Sequence, residues 1–157
     1  MAEQILQRAL AIPGGTDLTQ EAAVLNDLAR LSIRAGRNER ATDYLIQALD
    51  RLGRGLGREH PSQVSVLQNL ALAYSRQHRL REALETSRRA LSLVDRRLPE
   101  AHPLHEAVLL GYAELLRQSG QKSEAKRMEA RARNVHAVAA DSSRHIVDVT
   151  ELKTRPR

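Results

Sequence analysis

The chain has 157 residues, enough for one domain with a sizeable core or for a short repeat array. Hydrophobic residues make up 41% but aromatics only 2%, and Trp, Phe and Cys are absent, so disulfides and thiolate metal sites are excluded. The net charge of +6 favours acidic partners, and no apolar run approaches the roughly 20 residues that a membrane-spanning helix needs.

Ala, Leu and Val carry the apolar content, and Ala and Leu lead the helix-propensity scale, so an all-α protein is expected. The first predicted element is a short helix over 2–12, AEQILQRALAI, with Ala2, Leu6, Ala9 and Leu10 on one face. Acidic Glu3 precedes its apolar stretch, which lacks the basic start of a secretory signal; a cytoplasmic setting is expected. Asp17 and Gln20 have the spacing of a capping box ahead of the next helix.

From there the chain repeats. His60-Pro61 recurs at His102-Pro103, 42 residues later, and the same shift aligns VLNDLARL (24–31) with VLQNLALA (66–73) and VLLGYAEL (108–115). Each unit reads as two helices, over 18–57, 60–99 and 102–140. In the first helix Leu25, Leu28, Ala29 and Ser32 are echoed by Leu67, Leu70, Ala71 and Tyr74, then by Leu109, Tyr112, Ala113 and Leu116, one apolar stripe per helix. In the second helix Ala41 and Ala48 recur as Ala83 and Ala90 and as Ala125 and Ala132, small residues that let two backbones approach. Gly36 and Gly120 suit the turn between the paired helices, with His78 at the same place in the middle unit.

The glycine run Gly53, Gly55, Gly57, with Arg54 and Arg58 among it, invites a phosphate-loop reading. Such a loop follows a strand and leads into a helix with a Lys-Ser/Thr in register. Here no strand precedes, and the equivalent RLPEAHP in the next unit has no glycine, so these glycines are read as the stop of a second helix, with Pro61 and Pro103 opening the next. His102 and His105 lie three apart, but a metal needs further ligands and the repeat explains His60 and His102 as residues at helix starts. No Ser-His-Asp order, paired carboxylates or Gly-x-Ser-x-Gly elbow offers a catalytic centre. No enzyme, metal or cofactor is expected.

With its HP links and the stretch VLNDLARLSIRAGRNERATDYLIQALDRLGRGLGREHPSQVSVLQNLALAY, the sequence resembles the tetratricopeptide repeat, in the 42-residue variety of kinesin light chain. The resemblance implies a right-handed α-solenoid of helix hairpins: the lone helix 2–12, in the manner of a second helix, then three pairs, all within one domain over 1–140. It also implies a scaffold or adaptor that holds a partner on the concave wall lined by the first helix of each pair. On that wall the residues expected to face a peptide are Asn26, Arg30, Ile33 and Arg34, then Gln68, Leu72, Ser75 and Arg76, then Leu110, Glu114, Arg117 and Gln118. In the family an asparagine at the position of Asn26 often bonds the main chain of an extended peptide; Gln68 is a longer substitute, and Leu110 cannot serve. Arg30, Arg34, Arg76 and Arg117 present planar donor forks, so an acidic extended segment is the expected partner.

Glu129, Arg133 and His136 replace apolar or small residues and make 123–140 the expected water-facing cap. Glu85 with Arg88 and Arg89, Glu124 with Arg127, and Glu129 with Arg133 are expected to pair along helix faces. The tail 141–157 leaves the alanine pattern near Asp141; its β-branched HIVDVT suggests an extended segment that docks back on the last repeat or adds to another chain, a linker being the other reading. The uncovered face of helix 2–12 suggests self-association. Two rival readings stand: nucleic-acid or anionic-surface binding through the basic surface, disfavoured by the scarcity of stacking aromatics, and a regulatory fragment of a larger multidomain protein.

Overall fold

The computed structural model describes residues 17–147, with side chains through Val138. Six helices follow one another: α1 (Leu18–Arg34), α2 (Asn38–Gly55), α3 (Gln63–Arg76), α4 (Leu80–Arg97), α5 (Pro103–Gln118) and α6 (Lys122–Val147). They pair as α1–α2, α3–α4 and α5–α6, and each pair packs on the next through the α2–α3 and α4–α5 contacts. No strand occurs among the described residues. The three helix pairs expected over 18–140 are thus present, whereas helix 2–12 and the self-association assigned to it fall outside the described residues.

The hairpins share one closing device. After α1, Gly36 takes φ +75° and the Arg37 N–H reaches back to the Ser32 carbonyl at 2.9 Å. After α5, Gly120 takes φ +81° and the Gln121 N–H reaches Leu116 at 2.8 Å. Between them His78 adopts the same left-handed conformation, φ +59°, and the Arg79 N–H closes on Tyr74 at 3.0 Å. This six-to-one bond satisfies carbonyls that a helix end leaves orphaned. Glycine adopts that conformation without a side-chain penalty; histidine does not.

The small-residue columns do what their spacing predicts. Ala29, Ala41 and Ala48, their equivalents Ala71, Ala83 and Ala90, and Ala113, Ala125 and Ala132 are all buried, none more than 4% exposed. Leu28, Leu45, Leu67, Leu109 and Leu116 fill the space beside them. Helix α3 joins two clusters, giving Val64 and Leu67 to the one with α4–α6 and Val66, Leu70 and Ala73 to the one with α1 and α2, so the core runs from pair to pair.

Asp17 caps α1, accepting from the Gln20 N–H at 3.1 Å. His60 and His102 act alike: Nδ1 of each accepts from the backbone N–H two residues on, Ser62 and Leu104, both at 3.2 Å. Pro103 is the first residue of α5, but Pro61 lies in a turn ahead of α3, which begins at Gln63. At the other end the expected change near Asp141 does not occur, because α6 continues to Val147. Ile146 and Val147 are helical rather than extended; β-branching costs a few tenths of a kcal/mol per residue and does not stop a helix already propagating. The rest of HIVDVT lies outside the described residues.

Several expected ion pairs within helices give way to contacts between helices. Arg88 donates to the Tyr112 hydroxyl at 3.4 Å, Arg89 to Gln63 at 2.9 Å, and Glu129 pairs with Arg117. Glu129 is therefore half-buried by its reach to α5, whereas Arg133 and His136 face water as cap residues should, with His136 3.1 Å from Glu106.

Candidate peptide groove on the inner face

Which wall is concave follows from the packing. The first helices of successive pairs touch, α1 with α3 and α3 with α5; among the described residues the second helices α2, α4 and α6 make no such backbone approach to one another. A stack whose inner members are close and whose outer members are apart bends around the inner ones, so α1, α3 and α5 line the hollow side. Three bonds lock this inner rank, each linking residues 43 apart. Asn69 donates to Asn26 at 2.9 Å, Arg76 to the Ile33 carbonyl at 3.0 Å, and Ser75 to Gln118 at 2.8 Å.

Of the expected inward stripe, Gln68, Leu72, Ser75, Glu114 and Gln118 surround one hollow, whereas Ile33 is buried against α2 and not in the groove. Leu72 and Leu110 stand open on this face, 42% and 47% exposed. Between α3 and α5 lies a hollow of about 240 Å³, lined among others by Gln68, Leu72, Gly111, Leu115 and Gln118. Leu110 is not among its walls.

The arginines are less free than the sequence suggests. Arg30 pairs with Asp27 at 3.3 Å. Arg76 spends one donor on the Ile33 carbonyl, where a cation suits the negative end of α1. Arg117 is neutralised by Glu114 at 2.7 Å and by Glu129. Arg34 alone of the four has neither a carboxylate nor a hydrogen-bond acceptor among the described residues, and it lies next in sequence to the carbonyl that Arg76 holds. Asn26, half-buried, accepts from Asn69, so a bound main chain would compete with that bond.

Sequence reasoning missed Gly111. It stands where the earlier units have Asp27 and Asn69, and nothing lies within 4 Å of the position a Cβ would take. The missing side chain is what opens the hollow beside Leu115. The aligned column Asp27, Asn69, Gly111 carried that signal.

The family model for the tetratricopeptide repeat matches residues 20–96, and the described fold continues the same hairpin through α6. Over that stretch this chain is a tetratricopeptide repeat array. Its repeats match those of the kinesin-light-chain-like kind. Two crystal structures of nearly identical TPR-like repeats from a Podosopora anserina kinesin light chain superpose with TM-scores of 0.73 and 0.69 at 24% and 25% identity. They cover 88% and 86% of this chain. BtubC (BKLC) from P. vanneervenii superposes with a TM-score of 0.78 at 22% identity over 87% of the chain. This tetratricopeptide repeat chain spans 67%, 65% and 56% of those three chains. No curated protein sequence matches it. Tetratricopeptide repeats are scaffolds for protein–protein contact. Among the described residues no three His, Asp or Glu side chains gather as a metal would require, and no helix is long and apolar enough to cross a membrane.

Proposed function

We propose that the protein is a non-enzymatic adaptor that holds an extended segment of a partner protein along α1, α3 and α5, in the cytoplasm. The observation that carries this reading is the open hollow beside Leu72 and Gly111, walled by apolar groups on a face where Leu110 is also exposed. An apolar side chain of the partner fits there. Burying a leucine-sized group contributes about 1.5–3 kcal/mol, enough to anchor a peptide whose other contacts are polar.

Acidic character in the partner finds support at one end of the wall only. Arg34 follows Ile33, whose carbonyl at the C-terminal end of α1 accepts from Arg76, while Arg30 and Arg117 already have carboxylates. A segment with its apolar residue between α3 and α5 and its carboxylates toward α1 matches that distribution.

The test is selection of 12-residue peptides from a random library on the wild-type chain, followed by affinity measurements on two variants. Gly111→Leu fills the hollow and should weaken the selected peptides at least tenfold. Arg34→Glu should weaken those with acidic residues and leave neutral ones unchanged. A selected set with no apolar or acidic bias, bound equally well by Gly111→Leu, removes the reading.

A further inference from the structure

A second basic cluster lies on the outer side of the stack, away from the groove. The end of α2 and the loop after it supply Arg54 and Arg58, and α4 supplies Arg89, Arg96 and Arg97. Two carboxylates stand among them. Asp50 takes Arg51 at 3.1 Å and Arg54 at 3.6 Å, and Glu59 takes Arg96 at 3.0 Å together with Arg97. The bond from Arg97, with the charge of Arg96, holds the Glu59 carboxyl below the usual carboxylate range.

Arg58 and Arg89 are left over. Arg58 has no hydrogen-bond or ion-pair partner among the described residues; its stem lies over Gly53, whose Cβ, if present, would be 3.6 Å from Arg58 Cγ. Arg89 meets only a neutral group, donating at 2.9 Å to Gln63 Oε1. Gln63 is 1% exposed and is itself fixed by donating from Nε2 to the Gly57 carbonyl at 2.9 Å. The Arg89 guanidinium is thus held by a buried amide that does nothing to its charge. Both arginines wall the same two hollows, of about 250 and 310 Å³; Leu49, Asp50, Gly53, Arg54 and Gln63 complete one and Glu59, Leu93 and Arg96 the other, the two carboxylates being those already paired with arginines.

We propose that these joined hollows bind a small polyphosphate anion, with Arg58 and Arg89 as its principal ligands. Two guanidinium forks without a carboxylate can each offer paired N–H donors to phosphate oxygens. A polyvalent anion satisfies both, whereas one carboxylate satisfies one. The ligand is held by side chains and not by the backbone of the glycine run, which lacks the strand and Lys-Ser/Thr of a nucleotide loop. No aromatic side chain lines either hollow, so a nucleic acid would find phosphate contacts there and no stacking surface for its bases.

Titration calorimetry of the full chain with inorganic triphosphate, against sulfate at matched ionic strength, tests this. Saturable one-to-one binding of triphosphate is expected, well above sulfate. Arg58→Ser, at an exposed loop position, should weaken it at least tenfold with the helical circular dichroism intact, and Arg58→Lys should recover part of the loss. Arg34→Ser, in the groove, should leave it unchanged, which separates this site from the peptide wall. No saturable binding at millimolar triphosphate, equal affinity for sulfate, or affinity indifferent to Arg58→Ser overturns the proposal. So does tighter, Arg58-dependent binding of a short single-stranded DNA, which would assign the surface to nucleic acid.

Discussion

The guanidinium of Arg76, at the end of α3, donates at 3.0 Å to the main-chain carbonyl of Ile33, one hairpin back at the end of α1. One side chain therefore caps a neighbouring helix and ties two repeats together. Arg76→Ala should lower stability by about 1 kcal/mol and Arg76→Glu by about twice that, since the latter puts a like charge on the negative helix end. Arg34→Ala, without such a bond, should stay within about 0.5 kcal/mol of wild type. Urea unfolding midpoints decide between them, and an Arg76→Ala midpoint equal to that of Arg34→Ala would show that the bond adds nothing.

His78 is the middle one of the three residues that close the hairpins in the left-handed conformation, the other two being Gly36 and Gly120. Relief of a left-handed non-glycine residue is worth about 1 kcal/mol or more, partly offset by the freedom glycine gains in the unfolded chain. His78→Gly should raise stability by about 0.5–1 kcal/mol, and Gly36→Ala, the reverse change one repeat earlier, should lower it by at least about 1 kcal/mol. Thermal melts of the two variants should move in opposite directions.

Asp17 accepts from the Thr19 hydroxyl and from the backbone N–H groups of Gln20 and Thr19, which hold its carboxyl below the usual aspartate range, the Thr19 hydroxyl most of all. A carboxyl with a depressed folded pKa stabilises fully above its unfolded value, near 3.9, and the contribution is lost as pH falls through the lower folded value. Asn caps as well as Asp but does not titrate. Asp17→Asn should therefore match wild type near pH 7 and show a shallower fall in melting temperature from pH 4 to pH 2. Parallel acid limbs would mean that the cap carries no titrating contribution.

The fold was legible because its determinants repeat. The alanine columns, the leucine stripes and the left-handed turns each recur after 42 residues, and a feature that recurs in register reports on packing. The site was less legible because it depends on where the copies differ. Spacing along one helix suggests partners three or four residues away, yet Arg117 reaches Glu129 on the next helix and Arg76 reaches a carbonyl 43 residues back. No rule of helical spacing contains those contacts. Gly111 was missed for the opposite reason: its effect comes from an absent side chain, which only comparison down the Asp27, Asn69, Gly111 column brings out. The continuation of α6 shows a third limit, since local propensity at Ile146 and Val147 is weak beside the momentum of a helix already formed.

The inner helices press directly on one another, whereas α4 and α6 are bridged by a long side-chain pair, Arg131 with both oxygens of Asp95. Curvature thus has direct, hydrogen-bonded helix contact along one edge and an electrostatic tie along the other. Added salt weakens the tie far more than the direct contact, so the arc of the stack, and with it the width of the cleft inside, responds to the ionic medium around the back of the molecule.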